Sequence, residues 1–320
     1  MTHRVGVLGL GLMGQRMLGT LAEHAVFTAV AGFDVDAART REFAASRGFE
    51  ASPSAEALLD RADLDLVYVA TPPASHVPLG LAALERGLPL FLEKPLAADV
   101  EQATRLVEAA AQNLAPAVMN FPFASLAGLP RILAELADGT AGAVKRVEIL
   151  LHFDRWPRSW HHAGPWLHGR DEGGFLREVF SHFAYLTRRT LGELTLVDAR
   201  VEWSDEDADR SETRVAAELL AGGVPVSLVG GVGGAAPDFN RWTLHASERS
   251  YRVEDWSRVS WADASGWHEL GPAPDEAHGA AGQLDALAAM LAGEAHGLPS
   301  LADGLGVLRV VEAMHAGRPG

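Results

Sequence analysis

The stretch Val5-Gly6-Val7-Leu8-Gly9-Leu10-Gly11-Leu12-Met13-Gly14 decides the fold. Val5 to Leu8 has the length and composition of a buried strand, and Met13, Met17, Leu18 and Leu21 recur at the spacing of one helix face. Between them stands G-x-G-x-x-G, in the strand-to-helix setting that gives this pattern its meaning. Gly9 permits the tight turn, Gly11 lets the backbone approach a pyrophosphate, and Gly14 lets helix and strand pack closely. The helix start at Leu12, Met13 and Gly14 then offers N–H groups and a partial positive charge to phosphates. A second apolar strand, 26–33, ends in Asp34, 20 residues beyond Gly14. An acid there accepts hydrogen bonds from both adenosine ribose hydroxyls and repels a 2′-phosphate, which favours NAD over NADP. Arg39 and Arg41 keep NADP open, since either can fold back to a phosphate. Otherwise they decorate the exposed face of a helix over 36–47.

The alternation continues with a helix over 54–59, a strand over 64–70 that breaks at Thr71-Pro72-Pro73-Ala74-Ser75-His76, and a helix over 77–86. Leu90-Phe91-Leu92 reads as a buried parallel strand, Asp99 caps a helix running to 112, and Ala117-Val118-Met119-Asn120 closes the series. Strands alternating with helices in this way imply an α/β class with a doubly wound parallel sheet. Glu93-Lys94-Pro95-Leu96 follows the 90–92 strand, on the same sheet edge as the glycine loop, where open α/β sheets bind ligands. A lysine held there can hydrogen-bond a substrate oxygen and move a proton. Without that context the same residues read as a surface Glu-Lys loop.

With 320 residues the chain has room for two domains, 1–121 and 122–320. It carries 27 basic and 42 acidic residues, net −15, with no long basic run, which argues against nucleic acid and anionic membranes as partners. The lack of cysteine removes disulfides, thiolate catalysis and cysteine-ligated zinc, and fits a cytoplasmic location. No stretch approaches the ~20 apolar residues of a membrane span. The nearest, 221–236, holds several glycines and Pro225 and reads as strand and turn. The basic start followed by apolar residues 5–13 has the outline of a short signal peptide, but the glycines explain it better.

Beyond Asn120 a helix is expected over 126–136. Val147, Ile149, Leu151 and Phe153 then alternate with more polar neighbours, as a strand with one better-buried face requires. The same alternation appears in Val197, Ala199, Val201 and Trp203, in Val215, Ala217 and Leu219, and around Trp242 and Leu244. Joined mainly by turns, these runs imply a largely antiparallel sheet. Gly173 to His182 opens a helix with Leu176, Val179, Phe180, Phe183 and Leu186 as its apolar stripe. At about 100° per residue, Glu178, His182 and Tyr185 share the opposite face. Glu and His at that spacing are, by themselves, a surface pair. Between strand and helix lie Trp156, Trp160 and Trp166, three of the chain's eight tryptophans. They form either indole walls for a substrate or pins that hold a long loop to the core. The adjacent His161 and His162 lack the spacing that orients metal ligands, and no metal is expected.

Taken together, Gly9 to Gly14, Ala70-Thr71-Pro72-Pro73 with His76, Glu93-Lys94-Pro95-Leu96, and the ending Leu298-Pro299-Ser300-Leu301-Ala302-Asp303-Gly304 resemble the Gfo/Idh/MocA oxidoreductases. The resemblance implies a Rossmann domain joined to a second α+β domain with a large open sheet, and assembly into dimers or tetramers through that sheet. It implies hydride transfer on sugars or cyclitols, with Thr71, Pro72, His76, Glu93 and Lys94 around the cofactor and Asn120, Trp156, Trp160 and Tyr185 around a small-molecule substrate. Lys94 is then catalytic. The family's second-domain helix carries G-G-x-L-x-D-x-G-x-H, so His182 takes the histidine position, while Glu178 and Phe180 stand where Asp and Gly are usual. Many relatives place an arginine two residues after the asparagine; Asn120-Phe121-Pro122-Phe123 lacks it, which suggests a less polar or differently oriented substrate. The expected reaction is NAD-linked interconversion of a secondary alcohol and a ketone, with Lys94 and His182 sharing the hydroxyl and Glu178 beside them. Rival expectations are NAD-assisted elimination or glycoside cleavage without net redox change, imine reduction, and a non-catalytic dinucleotide-dependent sensor.

Overall fold

The computed structural model describes residues 2–158, 164–204, 207–274 and 276–317. The chain forms two compact units, Met1–Phe121 with Ala280–Leu305, and Pro122–Gly279 with Gly306–Gly320.

In the first unit β1 (His3–Leu8), α1 (Leu12–Glu23), β2 (Phe27–Phe33), α2 (Ala37–Arg47) and β3 (Glu50–Ala51) build one half. The other half is α3 (Ala55–Leu59), β4 (Leu66–Val69), α4 (His76–Glu85), β5 (Leu90–Glu93), α5 (Val100–Ala111) and β6 (Ala117–Asn120). The strands are all parallel, in the order β3-β2-β1-β4-β5-β6. Strand order reverses between β1 and β4, the crevice where doubly wound sheets take ligands. Helices cover both faces, so β4 and β5 are buried at every residue. Asp36, Ser54 and Asp99 cap their helices through side-chain oxygens, as their sequence positions imply. The core runs through Val5, Val7, Leu66, Tyr68 and Phe91, and Leu284, Leu287 and Met290 join it from α8 (Gly279–Leu291). After α8 the chain lies against β6, where the Met119 N–H donates to Pro299 O at 2.8 Å. Gly304 there has no room for a side chain, because a Cβ would strike Met119 Sδ.

The second unit opens with α6 (Leu129–Ala137) and β7 (Val144–Phe153). After α7 (Ser181–Leu191) it continues as a meander of β8 (Leu194–Trp203), β9 (Glu212–Ala221), β10 (Val224–Val232), β11 (Phe239–Ala246), β12 (Ser250–Glu254), β13 (Arg258–Asp263) and β14 (Gly266–Glu269). Its eight-stranded sheet has the order β14-β13-β12-β11-β7-β10-β9-β8, antiparallel except for β7 with β10. The C-terminal helix α9 (Leu301–Ala316) contributes its residues beyond Leu305 to this unit. Val147, Ile149, Leu151 and Phe153, with Val215, Ala217, Leu219, Trp242 and Leu244, fill the buried face as their alternation implies. Of the run Val197, Ala199, Val201 and Trp203, Val197 departs from that expectation, whereas Ala199 and Val201 lie opposite Ala217 and Val215 of the buried face. The β8–β9 register shifts between Leu196 and Asp198, and Val197 is left 49% exposed. A bulge adds one residue to a strand and so inverts the alternation beyond it. Among the described residues no helix is long and apolar enough to cross a membrane.

Candidate active site

The glycine loop is closed on its protein side and open on the other. Gly9 has φ +90°, and a Cβ there would lie 2.6 Å from the Ala70 carbonyl. A Cβ on Gly14 would strike Gly9 O, whereas one on Gly11 would meet nothing within 4 Å. Gly11 also caps α1 without a side-chain hydrogen bond, and the first turn holds no acidic residue. The leading N–H groups of Leu12, Met13 and Gly14 lack intrahelical partners by construction, so this cradle fits a pyrophosphate. Asp34 stands at the end of β2, largely buried. Its carboxylate accepts from the N–H of Leu10 at 2.8 Å and of Asp36 at 2.9 Å. The acid expected to meet the ribose therefore also ties the glycine loop to α2. Arg39 Nη1 lies 3.4 Å from Asp34 Oδ1 with its side chain 38% exposed, while Arg41 is exposed.

The turns after β4 and β5 are clamped by His76. Its Nδ1 lies 2.8 Å from Pro95 O and its Nε2 2.7 Å from Thr71 O, with the ring fully buried. Burial pushes its pKa down to about 4, against the pull of the two carbonyls. Ser75 Oγ closes the first turn by donating to Pro72 O at 2.7 Å. Glu93, the last residue of β5, points inward. Its Oε1 accepts from Tyr68 Oη and Asn120 Nδ2, each at 2.6 Å, and Asn120 Oδ1 accepts from Gln283 Nε2 at 2.6 Å. The register pairs Glu93 with Asn120 across β5 and β6, which is why the two side chains meet. Burial raises the Glu93 carboxyl, and Tyr68, the Lys94 charge and Asn120 pull it back. Burial and the neighbouring Glu93 push the Tyr68 hydroxyl well above its usual value. Glu93 and Asn120 thus sit inside the first unit and hydrogen-bond one another, while Lys94, the next residue along, is partly exposed. Sequence reasoning passed over Tyr68 and Gln283. A tyrosine within Leu66-Val67-Tyr68-Val69 does signal a buried hydroxyl needing a partner; nothing local marks Gln283.

In the second unit the segment expected to be one regular helix begins as a π turn, Leu176–Phe180, and becomes α7 only at Ser181. The 100° spacing used for Glu178, His182 and Tyr185 fails across that turn, because i→i+5 bonding changes the angle per residue. Nor is this a surface face. His182 is 6% exposed and Tyr185 is buried, with Glu178 partly so. Glu212 anchors the entry: its Oε1 accepts the Leu176 N–H at 2.7 Å, and a Cβ on Gly174 would strike its carboxylate. Arg177 donates to Glu312 at 2.7 and 2.9 Å and to the carbonyls of Arg170 and Gly173. His315 lies 3.5 Å from Glu212 and 3.6 Å from Glu312. Burial opposes its charge, yet the two carboxylates raise its pKa above the usual histidine value. Phe180 fills the core where the family pattern has glycine. The His182 ring meets Phe123 at 5.9 Å and Trp256 at 5.3 Å between centroids, both edge-on. Trp156 donates Nε1 to Leu167 O at 3.1 Å and packs on Phe153 and Phe175, which is the loop-pinning arrangement. Trp160, His161 and His162 lie outside the described residues. Among the described residues no group of three or more His, Cys, Asp or Glu side chains is arranged to hold a metal ion.

Residues 3–121 match the model of the oxidoreductase family with an NAD-binding Rossmann fold, GFO_IDH_MocA. These residues form a Gfo/Idh/MocA Rossmann domain. A dTDP-3,4-didehydro-2,6-dideoxy-alpha-D-glucose 3-reductase of Streptomyces antibioticus is 38% identical over 143 residues, 44% of each chain. Inositol 2-dehydrogenase 3 of Saccharopolyspora erythraea is 41% identical over 112 residues, 34% of this chain and 32% of the relative. The match thus spans less than half the length of either curated relative. The fold likeness runs further: the crystal structure of a 3-ketoreductase from Actinomadura kijaniata, in complex with NADP and TDP-benzene, superposes with TM-score 0.83 at 22% identity, over 99% of this chain and 98% of that one.

Proposed function

We propose that this Gfo/Idh/MocA protein is an NAD(P)-dependent oxidoreductase that interconverts a secondary alcohol and a ketone on a sugar, cyclitol or related small molecule. The observation that carries the proposal is the glycine cradle, blocked at Gly9 and Gly14 and open at Gly11, with Lys94 leaving the same sheet edge after β5. Gly11, Leu12, Met13 and Gly14 would hold the diphosphate, and Asp34 the adenosine ribose. Thr71, Pro72 and Lys94 would line the remaining length, with His76 and Glu93 holding those turns from behind. The bound dinucleotide supplies hydride acceptor or donor chemistry. Lys94 and His182 act on the substrate oxygen: one donates a hydrogen bond to it and the other takes the hydroxyl proton on oxidation or returns it on reduction. Glu178 orients this pair, and Asn120 acts through Glu93. NAD is the preferred cofactor because of Asp34. The relatives' sugar and inositol names support the substrate class.

The same reading includes a homo-oligomer formed through the second unit's sheet. Leu220, Val229, Phe239 and Trp267 are exposed on its outer face, on four different strands, and these exposed apolar side chains support such an interface. It also places the enzyme in the cytoplasm, beside the nicotinamide pools it would draw on. The test is a cofactor-reduction screen with NAD and NADP across myo-inositol, aldoses and nucleotide hexoses. Turnover of a sugar or cyclitol supports the reading, and turnover confined to imines or to reactions without net NADH change overturns it.

A further inference from the structure

Two residues that are not glycine have positive φ among the described residues: Asp255 at +48° and Trp256 at +71°, in the hairpin turn between β12 and β13. For a side chain as bulky as tryptophan this conformation is a genuine outlier, and such strain persists only where the surroundings enforce it. Here Asn240 enforces it. Its buried side chain accepts the Trp256 N–H at 3.1 Å, and its carbonyl accepts the Asp255 N–H at 3.1 Å. A turn of this kind favours glycine or asparagine, so the indole is kept against the backbone's preference.

The indole sits beside His182. Trp256 meets the imidazole at 5.3 Å with an interplanar angle of 84°, and Phe123 and Phe183 at 6.0 Å each. The guanidinium of Arg158 lies 5.6 Å from the indole centroid, within cation–π range. Trp256 is partly exposed, whereas Phe123 and Phe183 are buried, so the indole is the member of this aromatic cluster with surface left to offer a ligand.

We propose that Trp256 is a specificity-determining residue of the substrate site, the wall beside His182 on which the apolar C–H face of a pyranose or cyclitol ring rests while its hydroxyl meets the imidazole. This deepens the oxidoreductase reading and rests on it. The chemistry matches a ring with hydroxyls at its rim and C–H groups on its face, and it explains how a site lacking the usual arginine after Asn120 could still orient such a substrate.

Trp256→Gly separates the roles, because glycine relaxes the backbone at that φ while removing the ring. The full-length protein is assayed with myo-inositol, D-glucose and dTDP-glucose. Trp256→Gly should lower kcat/KM about tenfold or more, the scale of losing one apolar substrate contact. NADH binding should be unchanged, Tm should hold, and Trp256→Phe should recover part of the loss. Unaltered kcat/KM in Trp256→Gly overturns the proposal, as does a loss accompanied by a collapse in Tm. A second readout needs no substrate: carbethoxylation of His182 by diethyl pyrocarbonate, followed by mass spectrometry, should be several-fold faster in Trp256→Gly than in wild type or Trp256→Phe. Equal rates overturn the proposal even if none of the three compounds is turned over, an outcome that by itself counts against the oxidoreductase reading.

Discussion

Replacing Gln283 by leucine tests whether the buried chain Tyr68–Glu93–Asn120–Gln283 holds the end of β5. Gln283 Nε2 is a donor to Asn120 Oδ1 at 2.6 Å, and Asn120 passes the constraint to Glu93 at the same distance. The three side chains are buried, so water cannot replace the lost donor. An orphaned buried acceptor costs about 1–3 kcal/mol. Leucine is close to glutamine in volume, which keeps the packing contribution small. For a unit of this size each kcal/mol moves Tm by about 2–4 °C, so scanning calorimetry should show a fall of about 2–12 °C. The sharper assay is the cycle with Asn120→Leu. Either single substitution strands one polar partner, while the double variant strands neither of that pair, and it should be more stable than the sum of the two by about 1 kcal/mol. Additivity to within ~0.5 kcal/mol would refute the reasoning.

Three further outcomes are expected. Glu135 is held at about 2: burial works to raise it, but hydrogen bonds from Tyr251, Arg131 and Arg249 outweigh that. Its contribution is present above the unfolded value of 4.5 and is lost as pH falls toward 2, about 3 kcal/mol in all. Denaturant midpoints across that range should fall less steeply in Glu135→Gln than in wild type, the other depressed carboxylates keeping the rest of the slope. His315 has the opposite sign: its folded pKa is raised, so its stabilisation is full below 6.5 and disappears as pH climbs through the folded value. His315→Gln should remove that alkaline slope, and an unchanged slope would reassign it to another group. Finally, wild-type protein should favour NAD, and Asp34→Ala should shift preference toward NADP, with Arg39 then able to turn to the 2′-phosphate. A wild-type preference for NADP beyond about tenfold, or ~1.4 kcal/mol, contradicts the role given to Asp34.

The first unit was legible because its signals are local. Buried parallel strands read as short apolar runs, Asp36, Ser54 and Asp99 announce their helices, and G-x-G-x-x-G stands between strand and helix. Lys94 could be located because a strand end positions it. What was not legible depends on single residues without a local mark or on partners distant in sequence. The register shift at Val197 turns that one residue outward without altering composition, and the π turn at Leu176–Phe180 looks helical to any 3.6-residue count. Gln283 reaches Asn120 across 163 positions. Trp256 was unreadable for a different reason: Asp255-Trp256 carries no turn signature, and only backbone geometry shows that an indole occupies a position suited to glycine. Of the tryptophans noted in the loop after β7, Trp156 pins that loop to the core.

The most direct test of the central claim is Lys94→Ala in the full-length protein, measured for NAD(P)H-linked turnover of the best sugar or cyclitol and, separately, for NADH binding by fluorescence. Turnover should fall to background while NADH binding persists, because the cradle of Gly9, Gly11 and Gly14 is untouched. Turnover retained at a substantial fraction of wild type would contradict the account.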